Sequence, residues 1–363
     1  MHPGMTSLSL SPILPLFLLS LALSLPLMSH AQSSPALPIL NWSQLSNLPD
    51  KEGFAAMHAG VSGSALLVAG GANFPGKRPW EGGTKIWYDD IWVLEKPDGQ
   101  WRHAGKLPKP IGYGVSVTWK DEVICAGGSN AEGHRADVYA LKLEGGKITT
   151  RPLPSLPQPC ANTCGVLIND TLYVAGGIEK PDATKAMHTF WSLNLADANA
   201  TWQTLPTWPG SERMLATAGA HEGAFYLFTG AALHADKDGK PARDWLKDAY
   251  RFTPRKNTWE KLPDVPQVAV AACTPAPSTE RGPLLLCGDD GGKVGFKPET
   301  EHPGFPKGTL LFDVTAGEWR RLADGPISRA TVPTTLWNGR IIIPSGEARP
   351  GFRSPEVWAV EVK

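Results

Sequence analysis

The sequence predicts an all-β fold: a six-bladed β-propeller closed by pairing of its N- and C-terminal strands in one blade. Three observations carry this. A glycine ends a short apolar strand six times, at Gly71, Gly128, Gly177, Gly230, Gly288 and Gly346, with spacings of 57, 49, 53, 58 and 58 residues. Each of the first five glycines is followed by a loop, a further strand, a tight turn and a Trp-x-x-Leu-type strand. The last copy lacks that final strand, and an orphan copy, Trp42-Ser43-Gln44-Leu45, stands near the start of the chain. Composition agrees. A 363-residue chain that is 42 % apolar can bury a large core, and 38 Gly and 34 Pro beside 14 Trp suit short strands joined by turns.

Residues 1–31 read as an export signal, which leaves residues 32–363 for the propeller. Residues 13–27 are apolar apart from Ser and Pro, and Ser29-His30-Ala31 has the small-x-small pattern of a cleavage site. The run is short for a membrane span and two prolines interrupt it, so the expected mature protein is secreted, periplasmic and free of a membrane anchor. Basic and acidic residues balance at 35 each with no basic stripe, which argues against nucleic acid as a partner.

The glycine-ended strands are residues 65–71, 122–128, 171–177, 224–230, 283–288 and 340–346. The strands after the loops hold Asp90-Ile91-Trp92, Asp137-Val138-Tyr139, Thr189-Phe190-Trp191, Asp248-Ala249-Tyr250, Thr309-Leu310-Leu311 and Glu356-Val357-Trp358. The outermost strands carry Trp42, Trp101, Trp202, Trp259 and Trp319, and one copy has Thr150 instead. A period of about 50 residues with Gly-Gly and a spaced aromatic pair resembles the kelch repeat. A four-stranded blade is apolar on both faces and cannot bury them alone. Stacking blades around an axis buries them, with Trp and Tyr filling the layers between.

Five cysteines are an odd number. Cys273 and Cys287 mirror each other around a hairpin turn near Glu280, either as a disulfide or as buried thiols. No CxxC or Cys/His cluster suggests a metal site.

The loops after the closing glycines open on one face, and the first, fourth and fifth are long. This face is the expected mouth of an axial pocket. The residues just after the glycines are Ala72, Ser129, Ile178, Ala231, Asp289 and Glu347, so two adjacent copies place a carboxylate at the mouth. A partly desolvated carboxylate there suits general acid or base work; the alternative is a carboxylate that only accepts N–H bonds in its turn. Arg353 lies six residues past Glu347, beyond a Pro-Gly turn, and either pairs internally with Glu347 or meets a substrate carboxylate. Asn73, Arg78, Glu81, Arg135, Arg213 and Arg329 are further substrate-binding candidates, with Lys85 and His234 also on this face. His58 lies in an inner strand, as core or as pocket wall.

The segment Ser345-Gly346-Glu347-Ala348-Arg349-Pro350-Gly351-Phe352-Arg353 resembles the GEA-x-PG-x-R segment of bacterial N-acetylneuraminate epimerases, the sialic acid mutarotases. Gly70-Gly71-Ala72-Asn73-Phe74 with Glu81-Gly82 and Asp90-Ile91, and Tyr113-Gly114-Val115-Ser116, are similar too. The order differs: here the Glu segment ends the chain and the Gly-Gly-Ala blade begins it, as in a cyclically permuted branch. The resemblance implies anomer interconversion of an acidic sugar by acid/base ring opening, with Glu347 as the acid/base, Arg353 holding the substrate carboxylate, and no cofactor. Two other readings stand beside it: a non-catalytic propeller binding glycan or protein, and another carbohydrate enzyme on the same scaffold.

Overall fold

The computed structural model describes Met1 and residues 36–363. The expected leader, apart from Met1, lies outside the described residues. Leu37–Lys363 form one unit, built of six four-stranded antiparallel sheets arranged as blades.

Blade 1 consists of His58–Ser62, Ala65–Ala69, Asp90–Leu94 and Arg102–Lys106, innermost strand first. Blades 2 to 5 repeat the order from Val115–Trp119, Cys164–Ile168, Thr217–His221 and Ser278–Thr279. Blade 6 takes Thr335–Trp337, Arg340–Pro344 and Val357–Val362 from the end of the chain and Leu40–Leu45 from its beginning. That last pair is in register from Leu40 opposite Val362 to Leu45 opposite Val357. Backbone bonds between Ile39 and Lys363, 2.8 and 2.9 Å, extend it.

Six apolar clusters fill the six joints between blades. In the joint between blades 3 and 4, Phe190 packs on Phe225 and Trp259 with ring centroids 4.9 and 5.0 Å apart. Four outer-strand tryptophans also pin their blade to the one before. The indole N–H groups of Trp101, Trp202, Trp259 and Trp319 donate to the carbonyls of Ser46, Pro154, Pro206 and Pro263, at 2.7, 2.8, 2.6 and 2.9 Å. A half-buried indole gains from such a partner, so the repeat satisfies apolar and polar parts of one side chain together. Blade 2, with Thr150, lacks this clamp, and a groove of about 330 Å³ runs beside it.

Near the axis each innermost strand is preceded by a residue in the left-handed region: Ala56, Tyr113, Asn162, Leu215, Ala271 and Thr331, with φ between 48° and 63°. Each N–H donates to the carbonyl of its counterpart in the preceding blade, at 2.7 to 3.0 Å, and Ala56 donates to Thr331. Six backbone bonds therefore close a ring about the axis. Left-handed backbone costs on the order of 1–2 kcal/mol at a non-Gly residue; the closed bonds and the blades on both sides hold it there.

All five cysteines are free and buried. Of the two arrangements open to Cys273 and Cys287, the structure has interacting thiols.

Candidate active site

The residue after each closing glycine bridges to the residue just ahead of the axial ring, in six equivalent pairs: Ala55 with Ala72, Gly112 with Ser129, Ala161 with Ile178, Met214 with Ala231, Val270 with Asp289, and Ala330 with Glu347. The Asp289 and Glu347 backbones are thus fixed by the scaffold on both sides. At Gly346, φ is 100°, and a Cβ would lie 2.9 Å from the Cβ of Val332, so only glycine lets the strand end here and present Glu347.

Above the ring opens a cavity of about 720 Å³, whose floor includes Tyr113, Asn162, Leu215, Ala271 and Thr331. Glu347, Arg353 and Asp289 line it. Glu347 and Arg353 face each other across a two-stranded hairpin, Glu347–Arg349 with Phe352–Arg353. Glu347 Oε1 accepts from the Arg353 guanidinium at 2.8 Å and from the Gly351 N–H at 2.9 Å. Among the described residues Oε2 has no hydrogen-bond partner. The Arg353 side chain is only 3 % exposed and stacks 5.0 Å over the Phe74 ring. The internal pair of Arg353 with Glu347 is formed, and the Arg353 Nε–H is buried without a partner among the described residues.

Asp289, in the neighbouring blade, accepts from the Gly291 N–H at 3.0 Å. Burial raises its pKa above the usual carboxylate range; the Gly291 bond and Arg243 oppose this, and the charges of Asp290 and Glu347 add to it. The wall also includes Lys85, Trp87, His134 and Arg243. Burial pushes the His134 pKa down to about 4, so at neutral pH it is an uncharged imidazole.

The other six candidates lie away from this cavity, each with internal partners. Asn73 is fully buried and bonds Gly53 O at 2.9 Å, Asp50 at 3.3 Å and the Tyr88 hydroxyl at 2.9 Å. Arg78 pairs with Glu52 at 2.7 Å under the Phe352 ring. Glu81 accepts from the Arg78 N–H at 2.7 Å, closing the turn at Pro79–Glu81. Arg135 bridges Glu132 and Asp137, both at 3.2 Å, beside the blade 2 groove. Arg213 grips Asp248 with two bonds of 2.8 Å. Arg329 pairs with Glu356 at 2.5 Å. Arg213 and Arg329 occupy one repeat position, two residues before the ring, and each meets the acidic residue that leads into its blade's third strand. His234, another candidate, pairs with Asp244 at 3.1 Å on an exposed hairpin. His58 is core: it is buried, and burial lowers its pKa to about 4.

Sequence reasoning missed Trp87, Tyr113, His134 and Arg243 as cavity wall. Trp87 and Arg243 sit in two of the three long loops already singled out, so loop length was the available signal. Tyr113 stood only within the Tyr113-Gly114-Val115-Ser116 stretch of the family resemblance, and His134, in a short loop of blade 2, had no signal.

A family model described as N-acetylneuraminate epimerase matches residues 32–150 and 153–288. An N-acetylneuraminate epimerase of Haemophilus influenzae (strain 86-028NP) is 28 % identical over 226 residues, 56 % of this chain and 57 % of that protein. One of Salmonella enteritidis PT4 (strain P125109) is 41 % identical over 109 residues, 26 % of this chain and 28 % of that protein. The chain thus spans little more than half the length of the curated relatives it matches. A solved structure titled "Structure of YjhT" superposes with a TM-score of 0.63 at 15 % identity, covering 88 % of this chain and 99 % of that one, which establishes the shared fold. With well over half its length matched by the family model, this chain belongs to the N-acetylneuraminate epimerase family.

Proposed function

We propose that the protein interconverts the anomers of N-acetylneuraminate or a closely related acidic sugar by opening and closing its ring. The observation that carries this is the Glu347 carboxylate on the cavity wall, held through one oxygen by Arg353 and Gly351, with the other oxygen free of protein partners. A base needs a fixed position and an available lone pair, and this geometry supplies both. Glu347 removes the proton from the anomeric hydroxyl. The bond between the anomeric carbon and the ring oxygen breaks, a ketone forms, and the ring oxygen takes a proton. Asp289 is placed to give it, since burial favours its protonated form. After the planar ketone turns its other face, the ring oxygen attacks it and both protons return. Free sugars of this kind interconvert unaided, so one base and one acid are enough for a useful acceleration. Arg353 acts through Glu347 as a positioning residue.

The Glu347 segment lies outside the residues matched by the family model, which end at residue 288. A cyclically permuted order of blades fits this. The terminal strands meet within one blade, so moving the chain ends leaves the blade contacts intact. The leader-like residues 1–31 support export to the periplasm as the site of action.

The direct experiment is exchange NMR on equilibrated N-acetylneuraminate with and without protein. Acceleration of α-to-β exchange in proportion to protein concentration supports the reading. Saturable binding without acceleration would leave a non-catalytic sugar-binding propeller.

A further inference from the structure

We propose that Lys85 anchors the carboxylate of the acidic sugar and so determines the preference for acids over neutral sugars. This rests on the anomer-exchange reading above and gives the cavity its anion site. Resemblance alone assigns that anchor to Arg353, but the Arg353 guanidinium is 3 % exposed and bound to Glu347. One of its N–H groups holds Glu347 and its Nε–H is buried without a partner, so little of the guanidinium is open to an incoming anion.

Lys85 is placed differently. It lies on the cavity wall in the loop of blade 1, just ahead of Trp87. Its ammonium sits 4.9 Å from the centroid of Tyr113, 5.3 Å from Trp87 and 5.8 Å from Phe74. It donates a long bond of 3.4 Å to the Tyr113 hydroxyl. Among the described residues no carboxylate pairs with it. Aromatic faces stabilise a cation through their quadrupoles and leave its charge in place. Three such faces therefore hold a half-buried lysine whose positive charge is available to an incoming anion.

The position also suits the chemistry. In this sugar the carboxylate is attached directly to the anomeric carbon, so its anchor must stand next to the base. Lys85 and Arg353 share the Phe74 ring, and Arg353 holds Glu347. Arg243, a further cation lining the cavity, lies instead on the hairpin of blade 4, where its charge acts on Asp289.

The test pairs a protein change with a ligand change. Dissociation constants of N-acetylneuraminate and of its methyl ester, which lacks the charge, are measured by NMR titration on the full chain and on K85M, K85R and R243M. Removing Lys85 is expected to weaken binding of the acid roughly 30-fold or more, the usual effect of stripping one partner from a desolvated charged pair. The methyl ester is expected to bind wild type and K85M alike, and K85R to keep most of the affinity for the acid. Equal weakening for both ligands, no weakening, or a charge-dependent loss in R243M and none in K85M would overturn the assignment. Exchange activity of the wild type is recorded in the same samples. Exchange with no coupling between Lys85 and the carboxylate overturns the anchor and leaves the mutarotase reading standing. A wild type that binds neither ligand overturns both.

Discussion

Glu347 is ordinary in composition and particular in attachment. Its backbone is tied to Ala330 by two bonds of 2.9 Å and its carboxylate to Arg353. Arg353→Met is therefore expected to lower the rate of exchange more than tenfold while the substrate's dissociation constant changes little; a split between kcat and KM by NMR line shape checks this. For Asp289 as acid, the raised pKa sets the sign: the protonated form is the active one, so the rate falls as pH rises through that pKa. In Asp289→Asn this alkaline limb should vanish along with most of the activity. His58 offers a stability prediction. Its folded pKa is about 4, below the ordinary histidine value of 6.5, so between these values the unfolded chain binds the extra proton. Stability is then fully present above pH 6.5 and is lost as pH falls toward 4, by at most about 3 kcal/mol. Urea titrations at pH 7 and 4.5 measure it, and His58→Leu should flatten the difference. Asp289, Glu347 and Arg353 were legible in the sequence because their place is counted from a closing glycine and a Pro-Gly turn, which are backbone features. Arg213 and Arg329 were misleading for a physical reason. They belong to the same face, but their partners Asp248 and Glu356 stand immediately ahead of the blade's third strand, and a one-dimensional reading does not show that pairing.

At the level of the blade, the aromatic strand is the unit of cohesion. Trp259 contacts Phe190, Phe225 and Phe252 and donates to Pro206 O. Its replacement by Ala should cost roughly 3–5 kcal/mol, the range for large aromatic truncations in a core. Thr150→Ala at the matching position of blade 2 should cost under about 1 kcal/mol. Chemical denaturation of both variants makes the comparison, and equal losses would deny that the joint between blades 1 and 2 is held differently. All six glycine-ended strands form where the periodicity puts them, since a short continuous apolar run and a terminal glycine are local signals. The axial ring was not legible. Of its six members only Asn162 is a residue type that favours left-handed backbone; at Leu215, Ala271 and Thr331 the neighbouring blade imposes the conformation through a hydrogen bond that no local pattern encodes.

For the molecule as a whole, closure joins stability to function. The strand Leu40–Leu45 covers the edge of Val357–Val362, and the same blade carries the hairpin with Glu347 and Arg353. Deleting residues 36–46 should expose an unpaired edge, lower the melting midpoint by more than about 5 °C and promote association, as calorimetry and light scattering would record. The central claim is that this scaffold holds one carboxylate ready as a base over an axial cavity. The measurement closest to it is the α-to-β exchange rate of N-acetylneuraminate with wild type and with Glu347→Gln, at ligand concentrations where both are saturated. The account predicts that the amide variant still binds the sugar, with the enzymic rate reduced by about 10²- to 10⁴-fold. Undiminished exchange by that variant would contradict it.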